Sequence, residues 1–283
     1  MKRVISASRR TDPVAFFPDW LAGVLGEKKA RIFGPFGRVA AVDLSPGAVH
    51  TVVLWSKDFS NLIRNKHGLR KAFEKYDQLY FLLTVTGLGG TFIEKGVPEP
   101  AAALAQLADL AAIAGNPKRV SLRFDPVVFW REGKEVQTNL RFFEKAAAQA
   151  ARAGIEDVRM SFSQWYGKAI RRARKLGFDY VDPGQEEKLD AARRLTETAE
   201  KYRLRLFSCS QNFLTRVPGI RASACIDGNL LKALHPKRAE VSLAKDKSQR
   251  PECGCTESID IGSYTQSCPH SCLYCYANPK ISS

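Results

Sequence analysis

The run Leu79-Tyr-Phe-Leu-Leu-Thr-Val-Thr86, then Pro100–Ala114, then Arg119-Val-Ser-Leu-Arg-Phe124 decides the fold class. The outer two runs are short, apolar and rich in β-branched and aromatic residues, as strands buried on both faces are. The segment between them repeats its apolar residues at helical spacing. It opens on a proline and stops at Gly115, which suits the start and the end of a helix. A strand, a helix and a strand at this spacing imply a parallel pair joined by a crossover.

The same pattern extends in both directions. Further strands are expected at Arg3–Ser8, Thr51–Trp55, Asp157–Phe162 and Leu204–Cys209. Amphipathic stretches at Trp20–Glu27, Phe59–Tyr76, Thr138–Ala153, Ser163–Leu176 and Gln185–Tyr202 read as helices, with Gly154 and Gly177 as further C-caps. Six strands at ~40-residue intervals make an α/β protein, and fit a full or partial (β/α) TIM-like barrel better than a sandwich. A doubly wound open sheet is the alternative. Past Cys209 the periodicity fades. Residues 1–209 are therefore expected to form the barrel domain. Residues 210–283 should form a cysteine-rich, metal-organised segment across the barrel mouth.

Composition narrows the setting. No apolar run approaches the ~20 residues that a membrane span needs, and none follows the charges of Met1-Lys-Arg to make a signal peptide. A cytoplasmic protein without a membrane partner is expected. Seven cysteines in a reducing compartment point to metal or redox use rather than to disulfides. A net charge of +15 favours anionic partners, either a small anion or nucleic acid. Part of that charge sits in Arg171-Arg172-Ala-Arg174-Lys175 and part in Lys237, Arg238, Lys245, Lys247 and Arg250. Either group can equally be a solvated face.

The chain closes on Cys268-Pro-His-Ser-Cys272-Leu-Tyr-Cys275-Tyr-Ala-Asn278. Three thiols at this spacing can hold three irons of a 4Fe-4S cluster and leave the fourth iron for a chelating ligand. Tyr274 lies where an aromatic ring could pack on adenine. The alternative is a zinc site completed by His270 or by another cysteine. Cys209, Cys225 and the tight pair Cys253-Gly-Cys255 supply four more thiols, enough for a second cluster or a structural zinc. Cys209 and Cys225 can also be plain buried side chains.

Strand ends carry the rest of the candidate chemistry, because barrels gather their sites there. Arg9, Arg10, Asp12, Lys57, Arg123 and Asp125 would ring one opening. The arginines suit a carboxylate or phosphate, and the aspartates a hydroxyl or amine. Gly87, Gly89 and Gly90 could let backbone approach a cofactor closely. His50, His67 and His235 have no evident partners and are assigned no role.

The terminal loop resembles that of radical S-adenosylmethionine (SAM) enzymes, which reads C-x3-C-x-aromatic-C. More narrowly, the chain is similar throughout to the DUF1848 family. The shared features are Ser8-Arg-Arg-Thr-Asp12, Cys253-Gly-Cys255, Ser258-Ile-Asp-Ile-Gly262 and Cys268–Asn278. The DUF1848 likeness implies a cluster-binding protein of no known reaction. The radical SAM likeness implies one or two 4Fe-4S clusters, SAM as cofactor and an electron donor such as flavodoxin or ferredoxin. The Tyr-Cys-Tyr ending also resembles the spore photoproduct lyase branch, by analogy of the loop alone. Radical SAM enzymes carry the loop after the first strand, whereas here it is C-terminal. Either Ile259–Gly262 is a late strand that feeds the loop, or the loop folds back from outside. The expected function is a radical SAM-type enzyme acting on an anionic substrate. The alternatives are a zinc-stabilised nucleic-acid-binding protein and a nucleic-acid repair or modification enzyme that uses the same radical.

Overall fold

The computed structural model describes residues 1–33 and 39–281. The strands are β1 Arg3–Ala7, β2 Lys29–Phe33, β3 Val39–Asp43, β4 Val49–Ser56, β5 Leu79–Thr84, β6 Val120–Val127, β7 Phe129–Glu132, β8 Glu135–Thr138, β9 Asp157–Phe162, β10 Tyr180–Val181, β11 Arg205–Ser208, β12 Ile220–Ala222 and β13 Ile259–Asp260. The helices are α1 Pro13–Phe16, α2 Pro18–Gly26, α3 Ser60–Ile63, α4 Leu69–Phe73, α5 Pro100–Ala114, α6 Phe143–Arg152, α7 Gly167–Lys175, α8 Gln185–Lys201 and α9 Gly228–Leu234. None is long and apolar enough to cross a membrane.

Eight strands form one sheet in the order β12-β11-β9-β6-β5-β4-β1-β13. All its pairings are parallel, so successive strands return through helical crossovers. β13 lies beside β1, with Ile5 opposite Ile259 and Ser6 opposite Asp260. A late strand at Ile259–Gly262 is therefore the arrangement the chain adopts. β12 and β13 are the two edges, and no ladder joins them among the described residues. The sheet is thus not a hydrogen-bonded closed barrel. β10, β7 and β8 form a small antiparallel sheet, and β2 and β3 another.

Both faces of the main sheet are covered, which is why its strands read as continuous apolar runs. Val52, Leu54, Phe81, Leu83, Leu122, Phe124, Val158 and Met160 pack in one cluster with helix residues such as Leu107, Ala146 and Leu195. Each fully buried leucine or phenylalanine there contributes about 1.5–3 kcal/mol over exposure. The alternate residues Val4, Val53, Tyr80 and Leu82 pack on Cys225, Ile226, Leu231, Val241, Cys253 and Cys255.

The segment after Cys209 therefore does more than cover one end. α9 lies at the strands' starting edge, where Gln78 Nε2 donates to the Leu231 carbonyl at 2.9 Å and Arg119 Nη2 to the Leu234 carbonyl at 2.7 Å. The chain then runs back over the face that carries Val4, Val53, Tyr80 and Leu82, where Val241, Cys253 and Cys255 pack. The boundary expected at Cys209 falls inside the sheet, because β12 and β13 both lie beyond it. The helix expected over Phe59–Tyr76 is broken. Asn65, His67 and Gly68 take positive φ there, which a right-handed helix cannot continue through.

Candidate active site

One cavity of about 290 Å³ opens where β1, β4, β5, β6, β9 and β11 end. All seven cysteines line it, together with Arg9, Arg10, Asp12, Lys57, Arg123, Asp125, His270 and Tyr274. Parallel strands bring these groups together, since their C-terminal ends share one edge.

Three carboxylates organise the wall. The first is Asp12, the N-cap of α1, whose Oδ1 accepts from the Ala15 amide at 3.0 Å. Its Oδ2 accepts from Ser56 Oγ at 2.8 Å and from the Lys57 amide at 3.1 Å. His270 Nε2 stands 2.8 Å from the same oxygen, and its Nδ1 lies 3.1 Å from the Gly96 carbonyl. Both ring nitrogens face oxygen partners, so His270 docks the loop on β1 rather than completing a metal site.

The second is Asp260. It accepts from Ser6 Oγ at 2.9 Å, Ser8 Oγ at 2.7 Å, and the amides of Arg9 and Gly262 at 2.7 and 3.0 Å. This explains the Ser-Ile-Asp-Ile-Gly stretch physically: its carboxylate staples β13 to the end of β1. A side chain at Gly262 would place its Cβ 2.0 Å from Ser8 Oγ.

The third, Glu94, is fully buried. Its Oε1 accepts from Lys57 Nζ at 2.9 Å, from Thr86 Oγ1 at 2.7 Å and from the Tyr274 hydroxyl. Burial works against the Lys57 charge, but Glu94 and then Cys272 outweigh it and raise its pKa. Tyr274 thus lines the cavity with its hydroxyl already engaged, and Lys57 Nζ lies 5.8 Å from the ring centroid.

Arg9 and Arg123 flank the Trp55 ring, with Cζ atoms 5.4 and 5.1 Å from its centroid. Arg123 is paired with Asp125, whose other oxygen accepts from Ser161. The Arg123 pKa is raised: burial opposes the charge, and Asp125 restores it.

All seven cysteines are free thiols. Burial pushes Cys268 up to about 12 and Cys272 well above the ordinary thiol range. Such thiols stay protonated until a cation draws them off. In the second set Cys209 and Cys225 have their sulfurs 3.6 Å apart, and Cys255 accepts from the Ile226 amide at 3.3 Å. Cys253 is lowered to about 6 by its hydrogen bond with Cys255. Among the described residues, no three histidine, cysteine, aspartate or glutamate groups stand in the arrangement of a bound single ion.

The glycine expectation is corrected. Gly87, Gly89 and Gly90 do not reach the cavity. An added Cβ at each would strike the Phe142 ring, the Pro98 carbonyl or the Glu99 carboxylate, so their small size serves the packing of the 86–99 loop. Glu94, Asp260 and Trp55 were not singled out by sequence reading, although Asp260 lies in the quoted motif. In the sequence Arg172 is one member of a basic run. Its Nη1 donates to the carbonyls of Leu273 and Cys275, at 2.7 and 3.0 Å, and so clamps the cysteine loop.

No curated protein matches the chain at a significant level. A solved structure described as D-hydantoinase is similar at 13% identity and a TM-score of 0.34, over 63% of this chain. The match spans 39% of that structure's length, and a likeness this weak carries no argument. The family model described as a domain of unknown function, DUF1848, matches residues 4–277, and the chain belongs to that family.

Proposed function

We infer that the protein is an iron-sulfur enzyme of the radical SAM type acting on an anionic substrate. Cys268, Cys272 and Cys275 would hold a 4Fe-4S cluster and leave one iron to SAM. Cys209, Cys225, Cys253 and Cys255 would hold a second cluster or a zinc ion. A reduced cluster held there would supply the one electron that splits the sulfonium of SAM into methionine and a 5′-deoxyadenosyl radical able to take a hydrogen atom from the substrate. The single observation that carries the reading is that all seven thiols and the charged ends of the strands line one cavity.

The chemistry of the donor set supports the reading, since three thiols in one loop and four more across the cavity are what clusters take as ligands. A four-iron cluster spreads its thiolates around a cube rather than around one point. Arg123 Nε and Glu94 Oε2 are also buried beside these thiols without a hydrogen-bond partner. We read the sheet as an open (β/α) barrel, since its strands follow barrel order with the seam between β12 and β13 left unpaired. In this reading Arg9, Arg10 and Arg123 hold the substrate's negative charge. Asp12 and His270 fix the loop against β1, Lys57 and Glu94 set Tyr274, and the walls exclude water. Free thiols and a labile cluster suit the reducing cytoplasm, with flavodoxin or ferredoxin as electron donor.

Anaerobic reconstitution tests this. About four iron and four sulfide per cluster should load, and SAM with dithionite should yield 5′-deoxyadenosine. Well-loaded protein that leaves SAM intact would refute it. A second reading, a zinc-stabilised nucleic-acid binder, draws on the 3.6 Å between Cys209 and Cys225. For that pair alone the separation is close to the edge of a tetrahedron with metal–sulfur bonds of about 2.3 Å, although no third ligand group stands with it in such an arrangement among the described residues. Zinc without iron or sulfide in the purified protein would favour it.

A further inference from the structure

We propose that the cavity mouth takes an unpaired nucleobase and that helix α7 carries the phosphates beside it, so that the substrate is a single-stranded nucleic acid. The proposal deepens the reading above by naming its substrate class, and rests on that reading only for the chemistry done to the base.

Three tyrosines stand open at or beside the mouth: Tyr264 at 54%, Tyr276 at 52% and Tyr166 at 40% exposure. A monomer's surface rarely groups large aromatics without a partner for them. These rings are held in place. Tyr166 and Tyr276 meet edge to face at 6.4 Å, and the Tyr276 hydroxyl donates to the Arg9 carbonyl at 2.8 Å. Arg250 Nη1 donates to the Tyr166 hydroxyl at 2.9 Å, and Arg10 Cζ lies 5.5 Å from the Tyr264 ring centroid. Fixed rings interleaved with guanidinium groups are what a base and its phosphate require: every base has a face to stack, and arginine pairs with phosphate. Tyr276 directly follows Cys275, so a base stacked there sits at the rim of the cavity.

The second observation is α7, which starts immediately after Tyr166. It buries Ala169 and Ala173, carries five basic residues and no acidic one, and exposes Lys168, Arg171, Arg174 and Lys175. None of these four makes an ion pair among the described residues. Arg172 differs, because it turns inward to the cysteine loop. The outer face, from Lys168 to Lys175, is an unneutralised track about 10 Å long that starts beside Tyr166. A free nucleotide would need only the mouth, whereas a strand uses both. A duplex keeps its bases stacked away from the tyrosines.

The test is fluorescence anisotropy with labelled 12-nucleotide single strands of DNA and RNA across a salt series. The protein is used both as purified and after reconstitution, without SAM or reductant, so that the result does not depend on radical chemistry. Replacing Lys168, Arg171 and Arg174 by alanine together should flatten the slope of log affinity against log salt by about 2, at about 0.7 per lost phosphate contact. Tyr264→Ala and Tyr166→Ala should each weaken binding about fivefold or more at fixed salt. ATP and thymidine monophosphate should not displace the strand. The proposal is overturned by an unchanged salt slope, by tyrosine variants that bind normally, or by a duplex that binds as well. It is equally overturned if polyglutamate competes as well as unlabelled strand, which would mean charge alone, or if free nucleotides displace it, which would assign the mouth to nucleotides.

Discussion

Glu94→Gln should be among the most damaging single-atom changes in the molecule. The carboxylate is fully buried and balances Lys57, whose side chain is only 12% exposed. Glutamine keeps an oxygen for the Thr86 and Tyr274 hydroxyls but removes the charge opposite the ammonium. Removing one partner of a buried pair costs about 3–5 kcal/mol, because the other charge is left uncompensated. The retained oxygen places the loss near the lower end, about 3 kcal/mol. Replacing both partners is milder, so Glu94→Gln with Lys57→Met should recover much of that loss. Urea unfolding of the two single variants and the double variant gives the coupling energy directly. A value of at least about 2 kcal/mol is expected. Additive losses would mean that Glu94 and Lys57 act independently and that the network drawn around Tyr274 does not exist.

Arg172→Ala removes two hydrogen bonds from the cysteine loop and should raise amide exchange over residues 272–277, with a local loss of about 1–3 kcal/mol; unchanged exchange would show that the clamp is idle. Gly262→Ala forces a methyl group onto Ser8 Oγ and should lower stability by about 2 kcal/mol, read as a fall in Tm, whereas a neutral result would mean that β13 can shift freely. The His50 and His235 rings lie 4.4 Å apart, tilted by 37°, with both pKa values lowered, first by burial; Lys2 lowers His50 further, while the Ala239 carbonyl, Asp77 and Glu240 oppose the shift, and His235 is lowered next by His50. The unfolded chain then takes up protons first, so stability should fall as pH drops below about 6.5, by at most about 1.4 kcal/mol per pH unit for each histidine. His235→Gln should flatten that slope in urea melts at pH 5.5 against pH 7.5, and an identical slope in the variant would rule the pair out as its source.

How much of this was legible depended on length and burial. Asp157–Phe162 and Pro100–Ala114 occupy the bounds read from sequence, because each is long enough to show its period and meets apolar neighbours. β12 and β13 have three and two residues, too few for any pattern, and α9 has seven. The strand-end charges were readable because parallel topology sends every strand end to one edge. Glu94 was not, because it sits in a loop with no repeat or motif, and only its fold partners give it a role. Arg172 was hidden by its neighbours: four similar side chains in the same helix point elsewhere, and one-letter identity does not carry direction.

The position of the cysteine loop follows from the place of β13. A strand parallel to β1 and adjacent to it must release its following residues at the edge where Ser8–Asp12 emerge. The end of the chain is thereby delivered to the end of the first strand, and Asp12 meets His270 across 258 residues of sequence. The loop's other anchors come from different crossovers: Gly96 and Glu94 after β5, and Arg172 from α7. No local segment can fix the three sulfurs by itself, because each anchor belongs to a different part of the sheet. The loop can therefore take its native place only once the parallel sheet has formed. Whatever it binds in that place adds its binding free energy to the stability of the whole fold, not to that of the tail alone.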